Sequence, residues 1–246
     1  MHRAAWCGLL ALTLLTPSCG SERPPTAPSE TPGPPPTVRR VLVLGDSLAV
    51  SPSVEQSFPS ALQARILRQS LLWIVTNAGV SGDTTADGLR RVPPLLEGEV
   101  AILILELGAN DGLRGIEIAA IRQNLSSIIE LARAKGIRVL LCGMETPPGH
   151  GLNYSLAFHE LFPNQATRYG ISLVPFLLAG VVLIPDLNGP DFVHPNAAGA
   201  QQIAETVWPY LEPMLRQSTS LRVDVGSRAA VNLERFPHPS PPEFHR

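Results

Sequence analysis

A three-layer α/β domain is the fold class this sequence predicts. Three observations lead there. Five short apolar runs are continuous rather than alternating. Helical patterns lie between them. One change of composition, near residue 40, separates a proline-rich segment from a patterned domain. Strands covered by helices on both faces of a parallel sheet read as unbroken apolar runs, because neither face meets water.

In chain order the runs are Val41–Leu44, Leu71–Thr76, Val100–Leu107, Ile137–Cys142 and Ile171–Phe176. Phe58 to Arg68 and Tyr154 to Tyr169 read as helices. Ile116 to Lys135 is the clearest helix, since Ile121, Leu125, Ile128, Ile129 and Ala132 share one face and Gly136 supplies a stop. A last helix is expected from about Ala197 to Leu215. Such alternation implies right-handed crossovers, with ligands bound beyond the carboxyl ends of the strands. The expected organisation is a leader over 1–19, a linker over 20–38, one domain over 39–216 and a disordered tail over 217–246.

The leader is expected because Arg3 precedes an apolar stretch from Ala4 to Leu15, the length of a signal-peptide core and too short to span a bilayer. It runs into Leu15-Thr16-Pro17-Ser18-Cys19, which resembles a bacterial lipobox and makes Cys19 a lipidation candidate; ordinary cleavage near Ser18 is the alternative. Both readings export the chain from a bacterial cytoplasm, to the cell envelope, periplasm or exterior, and the first adds a membrane surface as partner. The proline-rich linker cannot bury a core and favours extended backbone, at ~3.1 Å per residue.

With 19 basic and 21 acidic residues in 246, the net charge of −2 gives no basic surface for nucleic acid. Arg39-Arg40 and Arg90-Arg91 read as solvated ends of elements. Cys7, Cys19 and Cys142 show neither zinc nor disulfide spacing, and Cys142, ending an apolar run, reads as core. No cluster has metal-ligand spacing, and no cofactor is expected.

The chemistry should lie beyond the strand ends. The first strand runs into Gly45-Asp46-Ser47-Leu48, which places a hydroxyl over the sheet, with Gly45 allowing a sharp turn. Alone, this tetrapeptide reads equally as a helix cap. Near the other end stands Asp191-Phe192-Val193-His194. An Asp accepting from imidazole Nδ1 leaves Nε2 free to take a serine proton, although a surface Asp-His pair without a role has the same sequence. Strands two and three end in small-residue loops around Gly82 and Asn110. An amide at each would suit a developing oxyanion, and each also reads as an ordinary turn. His150, His159 and Glu106 receive no catalytic role; His159 is expected to be half-buried in a helix, and Glu106 to bond loop backbone.

Together, Gly45 to Leu48, the Gly82 loop, the Asn110 loop and Asp191 to His194 resemble, in order, the four blocks of the GDSL or SGNH hydrolase family. The match is closest to its bacterial thioesterase I, arylesterase and lysophospholipase L1 subgroup. The resemblance spans roughly residues 40 to 215. It implies a flavodoxin-like fold with a five-stranded parallel sheet in the order 2-1-3-4-5. It implies Ser47 as nucleophile with His194 and Asp191, and an oxyanion hole from the Ser47 and Gly82 amides and Asn110. Asp111, Gly112, Leu113, Arg114 and Gly115 match the family's mobile substrate loop. Ala109 stands where the subgroup usually has Gly. The implied activity is hydrolysis of small acyl esters, thioesters or lipid esters by a monomer. A carbohydrate O-acetylesterase and a non-catalytic acyl-binding lipoprotein are the rivals, and the intact Ser47, Asp191, His194 and Asn110 count against the second. The absence of Gly-x-Ser-x-Gly counts against the α/β-hydrolase fold.

Overall fold

The computed structural model describes residues 38–231, with side chains to 217. The expected leader, all but the last residue of the linker, and residues 232–246 of the expected tail lie outside the described residues, as do Cys7 and Cys19. Strands β1 (Arg39–Gly45), β2 (Trp73–Gly79), β3 (Val100–Glu106), β4 (Arg138–Cys142) and β5 (Ser172–Val174) form one sheet in the order β2-β1-β3-β4-β5. Every pairing is parallel. The helices are α1 (Phe58–Arg68), α2 (Thr85–Leu95), α3 (Ala109–Arg114), α4 (Ile118–Ala134), α5 (Leu152–Tyr169) and α6 (Ala197–Val231). Helix α1 packs on α6, while α2 packs on α4 and α4 on α5. The sheet is thus the middle of three layers, as the apolar runs require.

The central strands carry the core. Val41 to Leu44 of β1 and Ile102 to Leu105 of β3 have no accessible surface, and each such side chain contributes about 1.5–3 kcal/mol by leaving water. Helix α4 buries the face predicted for it, Ile121, Leu125, Ile128, Ile129 and Ala132, and Cys142 is buried. Strand β5 is shorter than its apolar run because Pro175 follows Val174 and has no N–H for a ladder. Helix α6 extends to Val231, past the domain boundary expected at 216. Among the described residues no helix is long and apolar enough to cross a membrane.

Two helices fall where the sequence offered only loops. Helix α2 carries Pro93 and Pro94, which argue against a helix. They lie in its last turn, and its start is secured by a capping box: Thr84 accepts from the Asp87 N–H while Asp87 accepts from the Thr84 N–H. Helix α3 spans six residues and ends at Gly115, in the left-handed region.

Candidate active site

The register of the sheet brings three loops to one line. Gly45, the last residue of β1, lies opposite Gly79 of β2 and Glu106 of β3. Asp46 follows and caps the 3-10 turn Ser47–Ala49, accepting from the Leu48 N–H at 3.0 Å. That turn sets the Ser47 side chain at the sheet's edge, half-buried, between buried Asp46 and buried Leu48. Gly45 is required for space rather than for a turn. A Cβ there would strike the Glu106 carboxylate and come within 2.8 Å of Ala49.

The Ser47 hydroxyl meets an imidazole from 147 residues further on, with Oγ 2.8 Å from His194 Nε2. His194 Nδ1 is 2.5 Å from Asp191 Oδ2. Asp191 Oδ1 accepts the N–H groups of Val193 and His194 at 3.1 and 3.0 Å. These bonds, the His194 side-chain one first, hold the Asp191 carboxyl down at about 2. An ionised Asp191 fixes the proton on Nδ1 and leaves Nε2 as the acceptor facing the hydroxyl.

The segment carrying this pair is clamped at both ends. Asn188 donates to the carbonyls of Val181 and Ile184, and Gly189 N–H donates to the His194 carbonyl at 2.8 Å. Behind His194, Asn196 caps α6 by accepting from Ala198 and Gly199 at 2.9 and 3.0 Å. Even so, the pair stays wet: the side chains of His194 and Asp191 are 43% and 52% exposed.

Beneath Ser47 lies the opposite environment. Glu106 is fully buried, and its Oε2 accepts the Asp46 N–H at 3.1 Å, the backbone bond expected of it. Its Oε1 has no partner among the described residues. Burial first, then the charge of Asp46, pushes the Glu106 carboxyl well above its ordinary value. Burial likewise lifts Asp46 to about 6. Arg91 closes the network. It donates from Nε to Asp83 Oδ2 at 2.5 Å, and from its two Nη groups to the carbonyls of Ala78 and Gly45 at 2.6 and 2.8 Å. This corrects the reading of Arg91 as a solvated end; nothing in the sequence marks it, because two of its three partners are backbone carbonyls of β1 and β2. Glu106 had a signal: a carboxylate closing an otherwise apolar strand.

Asn110 sits in the first turn of α3. Its Nδ2 donates to Asp46 Oδ2 at 3.1 Å and to the Asp83 carbonyl at 3.0 Å. It thereby ties the residue before Ser47 to the residue after Gly82. Gly82 has φ 85°, a conformation natural only to glycine, and its carbonyl accepts from Arg114 at 3.0 Å.

The five residues expected to form a substrate loop divide. Asp111 is buried, accepting from the Thr85 N–H at 2.8 Å and its hydroxyl at 2.7 Å, and burial raises its carboxyl. Gly112 packs against Phe158 and Thr146. Only Leu113 and Arg114 offer exposed side chains. The stretch Ala109–Arg114 is helical rather than loop. His150 Nε2 lies 3.0 Å from the Leu113 carbonyl, and Tyr154 donates to the Ile116 carbonyl at 2.8 Å, so both hold this segment from outside. His159, expected to be half-buried, is 55% exposed and paired with Glu145.

The chain is similar to known proteins in sequence and in fold. The model of the GDSL-like Lipase/Acylhydrolase family matches residues 43–202. The esterase TesA of Pseudomonas aeruginosa is 37% identical over 211 residues, which cover 85% of this chain and 96% of that protein. The thioesterase 1/protease 1/lysophospholipase L1 of Escherichia coli K12 is 32% identical over 182 residues, covering 73% and 86%. A crystal structure of TesA superposes with a TM-score of 0.68 at 40% identity, over 72% of this chain and 99% of that one.

Proposed function

Because the chain belongs to the GDSL-like lipase/acylhydrolase family, and is therefore a serine-type carboxylic ester hydrolase, we propose that Ser47 is its nucleophile, His194 its base and Asp191 the residue orienting that base. The carrying observation is the 2.8 Å contact between Ser47 Oγ and His194 Nε2, with Asp191 2.5 Å behind. The hydroxyl gives its proton to Nε2 as Oγ attacks the carbonyl of an ester or thioester. The tetrahedral oxygen accepts from the N–H groups of Ser47 and Gly82 and from the Asn110 amide. Each such donor is worth about 3 kcal/mol in acyl transfer. Because the Asn110 amide already serves Asp46 and the Asp83 carbonyl, it reaches the oxyanion by sharing or releasing one of those bonds. Nε2–H then protonates the leaving oxygen or sulfur, and water cleaves the acyl-enzyme through the same base.

Thioesters and lysophospholipids join simple esters as substrates, by likeness to the Escherichia coli relative. Leu113 and Arg114 are the members of the proposed substrate loop that face solvent beside Gly82. The enzyme acts as an exported monomer, tethered through lipidated Cys19 and the linker over 20–38, with the tail beyond 217 outside the catalytic domain. Mass spectrometry of the mature N-terminus decides the anchor: a chain starting at Cys19 with added acyl mass is expected, and an unmodified thiol refutes it. Replacement of Ser47 by Ala abolishes hydrolysis of p-nitrophenyl acetate and butyrate and labelling by a fluorophosphonate. Undiminished turnover in that variant rejects the assignment.

A further inference from the structure

Three non-glycine residues among those described have left-handed backbone: Ser70 (φ 53°), Leu183 (φ 64°) and Phe192 (φ 59°). Ser70 closes the turn between α1 and β2. The other two belong together, because the Leu183 N–H donates to the Phe192 carbonyl at 3.0 Å. Large side chains are disfavoured in this region, and such outliers gather where function holds them.

The backbone conformation at 192 has a reason. The Asp191 carboxylate wraps forward to accept from the N–H groups of Val193 and His194 and from the imidazole, and a left-handed residue at 192 turns the chain tightly enough for that. Glycine meets this demand without strain, and asparagine nearly so. Phenylalanine meets it poorly, so the ring itself needs an explanation. Packing does not supply one. Phe192 is 46% exposed and Leu183 69%, and neither is a buried member of the hydrophobic core. Val193 and Ile184, their chain neighbours, are also exposed apolar residues.

Chemistry says what stands at that place. His194 Nε2 lies 2.8 Å from Ser47 Oγ, and the proton it carries must go to the departing oxygen or sulfur. The leaving group therefore sits beside the imidazole, and Phe192 and Val193 directly precede His194 in the chain. Val80 and Leu113, near Gly82 and Asn110 in the chain, are exposed apolar residues as well. We propose that Phe192 and Leu183, with Val193, form a subsite for an apolar leaving group, an aryl or long-chain alcohol or thiol, whose departure His194 protonates. This rests on the assignment of Ser47 and His194 above.

The experiment compares kcat/KM of the full chain, F192G, F192N and L183N on two series. Methyl, phenyl and 2-naphthyl acetate vary the leaving group; phenyl acetate, butyrate and octanoate vary the acyl group. In the Phe192 variants the naphthyl-to-methyl ratio falls about tenfold, the scale of one lost apolar contact in a pocket. The acyl series keeps its order, and melting temperatures stay equal to or above that of the parent, since both replacements relieve the backbone. L183N shows a smaller fall of the same kind. An unchanged naphthyl-to-methyl ratio in stable variants overturns the proposal. So does a loss confined to the acyl series, or a loss of binding to phosphatidylcholine vesicles with leaving-group preference intact, which would make these residues a membrane contact. Full activity in S47A would instead remove the catalytic assignment beneath it.

Discussion

Two regions converge on Ser47, and they treat their carboxylates in opposite ways. On the sheet side, Asp46 and Glu106 are buried and their carboxyls are pushed upward. On the side of the last loop, Asp191 is half in water and its carboxyl is held down at about 2. The sheet side is a scaffold that tolerates poorly solvated acids and fixes the bonds around the proposed nucleophile. The loop side keeps a full charge beside the imidazole, where charge is useful. Position and electrostatics are thus supplied by different parts of the chain, and substitutions should separate them.

The largest effect falls on the loop side and leaves the fold alone. D191N should lower kcat by about 10⁴, while urea unfolding shifts by less than about 1 kcal/mol, as suits an exposed pair. A large loss of stability would mean that the two regions are not separable. On the sheet side, stability should instead follow pH. The raised Asp46 carboxyl favours the fold in its neutral form. That contribution is complete below the ordinary value of 3.8 and is lost as pH rises through about 6. Relative to the parent, D46N should therefore look worst near pH 4 and recover by up to about 3 kcal/mol by pH 7. Unfolding titrations at the two pH values measure this, and an unchanged difference would remove Asp46 as a titrating member of the scaffold.

Glu106 offers a smaller test of the same contrast. E106A leaves the Asp46 N–H buried without an acceptor, costing about 1–3 kcal/mol, and should lower kcat because the turn carrying Ser47 loosens. E106Q keeps an acceptor oxygen and should recover most of both losses; equal damage from the two variants would point to the charge rather than the bond. The smallest effect comes from a second depressed carboxyl, Asp87, held at about 2 by the Thr84 side chain and backbone. T84A should cost about 1 kcal/mol at pH 7. The part carried by the Asp87 carboxylate is present above 3.8 and is lost as pH falls through about 2, so the variant and the parent draw closer in acid while the bond from the Asp87 N–H to the Thr84 hydroxyl keeps the rest. A difference undiminished at pH 2 would assign the loss to packing of α2.

The contrast also explains what the sequence reveals. Strands buried on both faces have to be apolar throughout, so the sheet is visible as runs, and its order follows from the family likeness. Ser47, Asp191 and His194 stand out through the family likeness, since each local motif alone reads equally as a cap or a surface pair. The support beneath Ser47 is legible only in part. Glu106 interrupts an apolar run and can be noticed, but Arg91 bonds to carbonyls of β1 and β2 that no local pattern connects to it. Helix α2 is masked by Pro93 and Pro94, although Thr84-Thr85-Ala86-Asp87 spells its capping box. Helix α3 is too short, and too rich in Gly, Asn and Asp, to differ from a turn on paper. Phe192 is set apart by its backbone angle, which the sequence does not display.

The spacing of the reacting pair has a consequence for synthesis. The hydroxyl is made early, and the ring proposed to activate it follows 147 residues later, after all five strands. A growing polypeptide that has already paired β1 with β2 and β3 holds a finished cradle for the serine and no way to ionise it. On the proposed assignment, hydrolysis therefore waits for the segment after β5 to settle against the finished sheet.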